Sequence, residues 1–369
     1  QQVASCHSSS ISTNPGQPLH VFSENILLKA SRVHQALQNR IEHGVKIPTL
    51  SSLKILKKIM TTLVQTSQNF WSKFSEYCTK SFQCLIKNPK LFWMRKLARI
   101  ELIRNWMSYF YQFSRKSHKA SQEIPSVFQG ISVEAAVLAL KTDSYYSGIN
   151  LPQDVVSEIL NFAKSAPCYG DRDPALKFYY PEKEQVEARI GKPLRLGSYF
   201  QAESCPTIEK LERDPGLLAI AAKFLGTAPV HVASELWWSF PVTATLSEQL
   251  QAAQVFHYDL DDYRFIKFFF YLTDVDLSSG PHVLLRGSHK NKKLSHQLLG
   301  VRCASKDDRE IVECYGADNL IAICGAAGFG FVEDSTCFHK GTLPTDNERL
   351  LLQIEYAINN YGDIRDMAS

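Results

Sequence analysis

No C-x-x-C pair occurs in this 369-residue chain, although it contains 9 cysteines. They stand at positions 6, 78, 84, 168, 205, 303, 314, 324 and 337. An odd, unpatterned set argues against a disulfide framework and fits reduced thiols in a cytosol. Apolar runs are short: none reaches the ~18 residues of a membrane-spanning helix. No secretory signal pattern is visible, so the expectation is a soluble, cytoplasmic protein. Also missing are internal repeats, low-complexity tracts and any helix-turn-helix, zinc-finger or RNA-binding signature that would support a nucleic-acid partner. Acidic residues are scarce only in the first third. Residues 1–120 hold 18 Lys and Arg against 4 Asp and Glu, whereas the rest holds 23 against 33, a split that the net charge of +4 conceals. Such asymmetry points to two regions with different partners.

What is present supports a sizeable core: 44% of residues are hydrophobic and 11% aromatic. Residues 1–22 are rich in Ser, Gln and Pro without hydrophobic period and read as a flexible tail. Residues 23–120 read as a basic α-helical extension. In it Leu53, Leu56, Ile59, Met60 and Leu63 follow helical spacing. Asn88-Pro89 is a helix start, with Asn as cap and Pro in the first turn, and Trp93, Leu97, Ile100, Ile103 and Met107 line one side. Arg95, Lys96, Arg99 and Arg104 interleave. Those cations are either a solvated face of helices packed on the main domain or a surface for an anionic partner, a membrane surface or acidic protein ahead of nucleic acid.

The polar stretch 114–129, with Pro125, reads as a linker, and 121–369 as the main domain. After two helices (from Leu151, and Leu217–Leu225 stopped by Gly226) come short β-rich runs. These are Val230–Val232, Leu236–Phe240, Val255–Tyr258, Phe265–Leu272, His282–Leu285, Asn319–Ile323, Phe329–Val332 and Leu350–Tyr356. That order argues for a β-sandwich or barrel over a βαβ sheet.

The chemistry concentrates at Gln254–Leu260. His257 and Asp259 are two apart in a strand-like run, so both side chains project to one face. A lone His-x-Asp is common by chance and more often structural. His339 adds a second imidazole, and Arg349 follows ten residues on. Two His and one carboxylate with open positions form the facial triad of non-haem Fe(II) oxygenases. An Arg on an otherwise apolar strand (Leu350, Leu351, Leu352, Ile354) demands an anionic partner if buried, and grips a carboxylate bidentately; exposed beside Glu348, it would need none. His289 and His296 lack Cys partners at zinc-ligand spacing, and His289 is expected to hydrogen-bond within its turn. Gly325–Gly330 (GAAGFG) has no following helix and reads as a tight turn, not a dinucleotide loop.

With His257/Asp259, the strand Phe265–Asp274, Gly280…Gly287-Ser288-His289-Lys290, and His339/Arg349 in that order, residues from about 130 onward resemble the phytanoyl-CoA dioxygenase (PhyH) family. The stretches Leu140–Tyr146, Leu151–Ser165 and Leu217–Gly226 look like its opening strand and helices. Arg286 replaces a usual Pro, and His282 a usual apolar residue. The resemblance implies a mainly β fold with α: a double-stranded β-helix (jelly roll, cupin-like) core with flanking helices. It implies Fe(II) on His257, Asp259 and His339, 2-oxoglutarate paired through Arg349, dioxygen as co-substrate, and hydroxylation of a small-molecule or carrier-bound substrate with release of succinate and CO2. Asp259 favours hydroxylation over halogenation, since halogenating relatives carry a small residue there. Alternation puts Lys267, Phe269 and Tyr271 on one face, and Phe269 falls where the family lines its co-substrate pocket; plain core packing is its other reading. Two alternatives stand beside this: a non-catalytic scaffold whose basic helices bind an anionic partner, and a cupin-like metal enzyme without 2-oxoglutarate. Arg349 discriminates them.

Overall fold

The computed structural model describes residues 79, 82–114, 125–251, 253–300 and 307–362. The chain divides into two compact units, 1–80 and 81–369, and apart from Thr79 every described residue falls in the second. The tail expected over 1–22, the helix expected at 53–63 and residues 115–124 of the linker lie outside the described residues. Among the described residues no helix is long and apolar enough to cross a membrane.

The strands are β1 (Tyr145–Ser147), β2 (Pro167–Gly170), β3 (Lys177–Tyr179), β4 (Leu196–Tyr199), β5 (Val230–Ser239), β6 (Phe265–Tyr271), β7 (His282–Leu285), β8 (Leu320–Ile323), β9 (Gly330–Glu333), β10 (His339–Gly341) and β11 (Arg349–Ala357). They form a large sheet of order β1-β9-β6-β11-β5-β4-β2-β3 and a small one of order β10-β7-β8. All the pairings are antiparallel, as expected of short strands joined by tight turns.

Period-two side-chain alternation decides what each face of the large sheet carries. On β6 and β11, Phe268, Phe270, Leu350, Leu352, Ile354 and Tyr356 enter a core shared with the flanking helices. Their neighbours Phe269, Tyr271 and Leu351 face the other way, packing with Leu284 and Ile323 of the small sheet. The sheets therefore bury a second core between them, and burial at ~25 cal/mol per Å² of apolar surface makes this layering the dominant stabilising term.

The helices that matter here are α1 (Pro89–Leu97), α2 (Glu101–Ser114), α3 (Val133–Asp143), α4 (Gln153–Ser165) and α5 (Pro215–Leu225). Asn88 caps α1, its side chain accepting from Leu91 N at 3.0 Å. Asp214 caps α5, accepting from Gly216 N at 2.7 Å, and its carboxylate also takes Ser126 Oγ at 2.8 Å and Val127 N at 2.9 Å. Those last bonds correct the linker expected to reach 129. Residues 126–128 are anchored, and Phe128 is a core residue stacked on Phe270.

Other expectations also shift. The helix expected to run on from Asn88 is broken between Leu97 and Glu101, and the break resets its phase. Leu91, Met94 and Ala98 bury against Phe256, Tyr258 and Val283, while Trp93 stays 55% exposed. Arg104, expected among solvated cations, is buried. Leu140 belongs to α3, not a strand; the chain turns at Ser144 with φ +72° and enters β1 only at Tyr145. The two runs expected at 230–232 and 236–240 are one strand, β5. Val255–Tyr258 makes a single bridge at His257, because Phe256 N and Asp259 N are taken by Asp308 and Ser335.

Gly330 permits the β1–β9 junction. Gly148 N and Ile149 N donate to its carbonyl at 3.1 and 3.2 Å, and an added Cβ would lie 2.0 Å from Ile149 O and 2.6 Å from Phe270 Cδ1. Gly330→Ala is expected to lower stability by about 3 kcal/mol or more, since the obstruction includes backbone. Denaturant midpoints measure this; a loss under ~1 kcal/mol would mean that the junction yields.

Candidate active site

The bridge between His257 and His339 builds the site. Each residue's N–H donates to the other's carbonyl, at 3.0 and 2.9 Å, which fixes both backbones and sets the rings 4.5 Å apart. His257 Nδ1 lies 2.9 Å from Val255 O, and His339 Nδ1 lies 3.1 Å from Cys337 O. A carbonyl can only accept, so Nδ1 carries a proton on each ring, and in that neutral tautomer the Nε2 lone pair is the one available to a metal. Both Nε2 atoms face Asp259: His257 Nε2 is 3.7 Å from Oδ1 and His339 Nε2 is 3.6 Å from Oδ2. One ligand-type atom from each of His257, Asp259 and His339 lies within 4.8 Å of the others. Two neutral imidazoles and one carboxylate, with backbone carbonyls orienting the rings, suit a divalent transition metal such as iron.

The charge states agree. Burial pushes His339 down to about 4 despite the nearby Glu333 carboxylate, so it is neutral near pH 7. Burial opposes ionisation of Asp259, but the Lys267 ammonium beside it overcomes this and holds the carboxyl well below its ordinary range.

Lys267 is the residue that sequence reasoning placed on the correct face without assigning a role. It is 7% exposed. Its Nζ lies 2.7 Å from Asp259 Oδ2, 2.8 Å from Asp261 Oδ2 and 3.6 Å from Glu355 Oε2. Burial disfavours its charge, yet Asp259, Asp261 and Glu355 raise it far above the usual lysine range. The signal that could have found this was the alternation putting Lys267 beside Phe269, but its partner Glu355 is visible only through the β6–β11 register, which sets the two opposite one another.

Behind His339 lies a second unanticipated acid. Glu333, at the end of β9, is fully buried; Oε1 is 3.2 Å from His339 Nδ1 and Oε2 is 2.7 Å from His282 Nε2. His282, an oddity in the sequence, therefore pairs with a carboxylate beside the metal-type cluster. The other oddity, Arg286, is exposed. His289 reaches outside its own turn, with Nε2 3.2 Å from Lys141 O, and His296 Nδ1 meets Tyr315 OH at 2.8 Å.

A cavity of about 510 Å³ opens on the cluster and is lined by Arg349, Phe269, Lys267, Trp237, Gln353, Glu355 and others. Arg349 is 3% exposed. Its guanidinium donates to Gly280 O and, at 3.2 Å, to Ser239 Oγ, while Nε has no partner. Among the described residues no carboxylate lies within ion-pair distance of it. Phe269 lines the cavity and stacks on Phe331 with centroids 4.9 Å apart. Register arranges the wall. Arg349 pairs with Ser239 at one end, Leu351 with Trp237 and Tyr271 next, Gln353 with Glu235 and Phe269 next, and Glu355 with Lys267 at the far end. The cation and the acids thus stand at opposite ends of one strand, about 20 Å apart at the usual rise per residue.

No family model matches the chain, and no curated protein matches it. Among solved structures the chain is similar to AviO1 from Streptomyces viridochromogenes Tue57, at 15% identity over 61% of this chain and 95% of that one, TM-score 0.41. It is similar to the non-heme alpha ketoglutarate dependent epimerase SnoN from nogalamycin biosynthesis, at 17% identity over 61% and 82%, TM-score 0.44. It is also similar to HygX from Streptomyces hygroscopicus, solved with nickel and 2-oxoglutarate bound, at 14% identity over 62% and 87%, TM-score 0.44.

Proposed function

We propose that the protein is an Fe(II)- and 2-oxoglutarate-dependent dioxygenase that hydroxylates a C–H bond of a small molecule. The observation that carries this reading is a buried Arg349 without a carboxylate partner, lining the same cavity as the His257–Asp259–His339 cluster. A buried guanidinium cannot shed its proton and so calls for an anion; a metal-type triad alone would not. In this reading the two sheets are a double-stranded β-helix, residues 121–369 form the oxygenase domain, and α1 and α2 of the 23–120 extension flank it.

His257, Asp259 and His339 would hold iron, which with 2-oxoglutarate and dioxygen would supply the oxidising chemistry, succinate and CO2 being the co-products. The chain's own groups do the rest. His257 and His339 present neutral Nε2 atoms. Asp259 presents one oxygen while Lys267 holds the other, which fixes the carboxylate's rotation. Arg349 takes the distal carboxylate of the co-substrate, and Phe269, Trp237 and Leu351 keep water from the space between. A carboxylate at Asp259 fills the third protein position and favours hydroxylation over halogenation. Arg172, Glu235, Gln353 and Glu355 line the cavity away from Arg349. Such a wall suits a polar substrate, free or presented on a carrier, better than a bare alkyl chain.

Anaerobic titration with Fe(II) and 2-oxoglutarate tests this through the visible metal-to-ligand charge-transfer band. The band should form in wild type and fail in His339→Ala. In Arg349→Ala it should require about 30-fold more 2-oxoglutarate or beyond, since a lost buried charge partner costs about 2–5 kcal/mol. No band in folded wild-type protein would end the reading.

A further inference from the structure

A second cavity, of about 330 Å³, lies between α2, α3 and the loop joining β9 to β10, and no residue lines both it and the first. Its lining includes Arg104, Lys141, Arg264 and Lys290, with Glu101 and Asp334 as the only acids among the described residues. Arg104 is 6% exposed, and its guanidinium reaches no better acceptor than His289 O at 3.4 Å. Arg264 lies over the Phe224 ring, 4.7 Å from its centroid. Among the described residues none of these four cations has a carboxylate within ion-pair distance. The two acids stay in the lining and offset part of this charge: Asp334 Oδ1 accepts from Thr336 Oγ1 at 2.6 Å, and Glu101 Oε1 from Asn291 N at 3.4 Å. His289, 6% exposed, also lines the cavity, and its Nδ1 has no hydrogen-bond partner.

Two guanidinium groups sharing one cavity repel, and neither can lose its proton. Arg104 is buried and Arg264 half-buried, and the two carboxylates of the lining do not match its four cations, so an anion bridging the guanidinium groups would offset the excess charge. The anion must serve two planar forks and two lysines arriving from different elements. A carboxylate has two oxygens and one charge; a phosphate has more of both and accepts bidentately from arginine.

We infer that this cavity binds a phosphate group, presented as orthophosphate or as a small phosphomonoester. Asp334 and Thr336 lie on the chain between Glu333 and His339, so the occupied cavity would brace the loop that delivers His339. The inference does not rest on the oxygenase reading, and its test uses neither iron nor 2-oxoglutarate.

The test is calorimetric titration of the full chain with inorganic phosphate and with glycerol 3-phosphate, against chloride at equal ionic strength. Sedimentation with phosphatidic acid vesicles forms a third arm. Saturable binding of one phosphate per chain is expected, with a raised melting temperature. Arg264→Gln and the double variant Lys141→Gln/Lys290→Gln should each weaken binding at least tenfold while keeping the wild-type circular dichroism. Tighter binding of the ester than of orthophosphate, or binding of vesicles alone, supports the site and identifies which molecule carries the phosphate. Absence of binding in all three arms, or equal affinity in wild type and both folded variants, overturns it.

Discussion

In Asp259→Ala, consumption of 2-oxoglutarate is expected to fall to background while the fold survives. The carboxylate is the only anionic member of the triad, and its loss leaves two neutral imidazoles that hold a divalent ion weakly. Even outer-shell changes cost about 10–100-fold in metal affinity, so removal of a ligand should exceed that range. The fold is protected because Lys267 keeps Asp261 at 2.8 Å and Glu355 at 3.6 Å. Alanine gives up the favourable Lys267–Asp259 pair, but the ammonium stays compensated by the two remaining carboxylates. Equilibrium dialysis against Mn(II) reads the metal, succinate release reads the reaction, and circular dichroism reads the fold. Full turnover in the variant would remove Asp259 from the ligand set.

Lys267→Met should do the reverse, sparing the ligands and damaging the fold. The ammonium is the shared cation of Asp259, Asp261 and Glu355. Burial, with Asp261, Asp259 and Glu235 as repelling neighbours, already pushes the Glu355 carboxyl up even with Lys267 present. Removing one member of a buried ionic group typically costs about 3–5 kcal/mol, because the partners are left uncompensated. A divalent ion at the triad would restore part of the missing positive charge. The melting temperature of Lys267→Met should therefore rise more on adding Mn(II) than that of wild type. Equal metal-induced shifts in the two proteins would show that Lys267 and the metal do not share Asp259.

The parts of this site that were legible in sequence are those whose partners are local or whose chemistry is rare. His257 and Asp259 declare themselves by spacing, and Arg349 by its place on an apolar strand. Alternation puts Phe269 on one face with Lys267 and Tyr271, while its place beside a co-substrate is what the family resemblance implies. Glu333 and Glu355 were not legible, because an acid at the end of a β-rich run reads as a strand terminus until register reveals what it faces. Arg104 misled for a different reason: interleaved with other cations on a helical pattern, it looks solvated. The long helix was a correct reading of Asn88-Pro89 carried past a boundary that no proline or glycine marks. In the sheets, the runs at 265–272, 282–285 and 350–356 match strands closely because both faces are buried. Val255–Tyr258 has strand composition, yet side-chain and loop acceptors claim the amides that a neighbouring strand would have needed.

β11 serves two masters along its whole length. Leu350, Leu352, Ile354 and Tyr356 belong to the helix-side core, and Arg349, Leu351, Gln353 and Glu355 to the cavity wall. A slip of one residue would thrust a guanidinium and a carboxylate into hydrocarbon and turn a leucine ladder onto the cavity. Threading errors on this strand are therefore lethal to the globule itself, not merely to its chemistry. Nascent chains that reach the compact state have, by that fact, proofread the alignment of their own cavity wall.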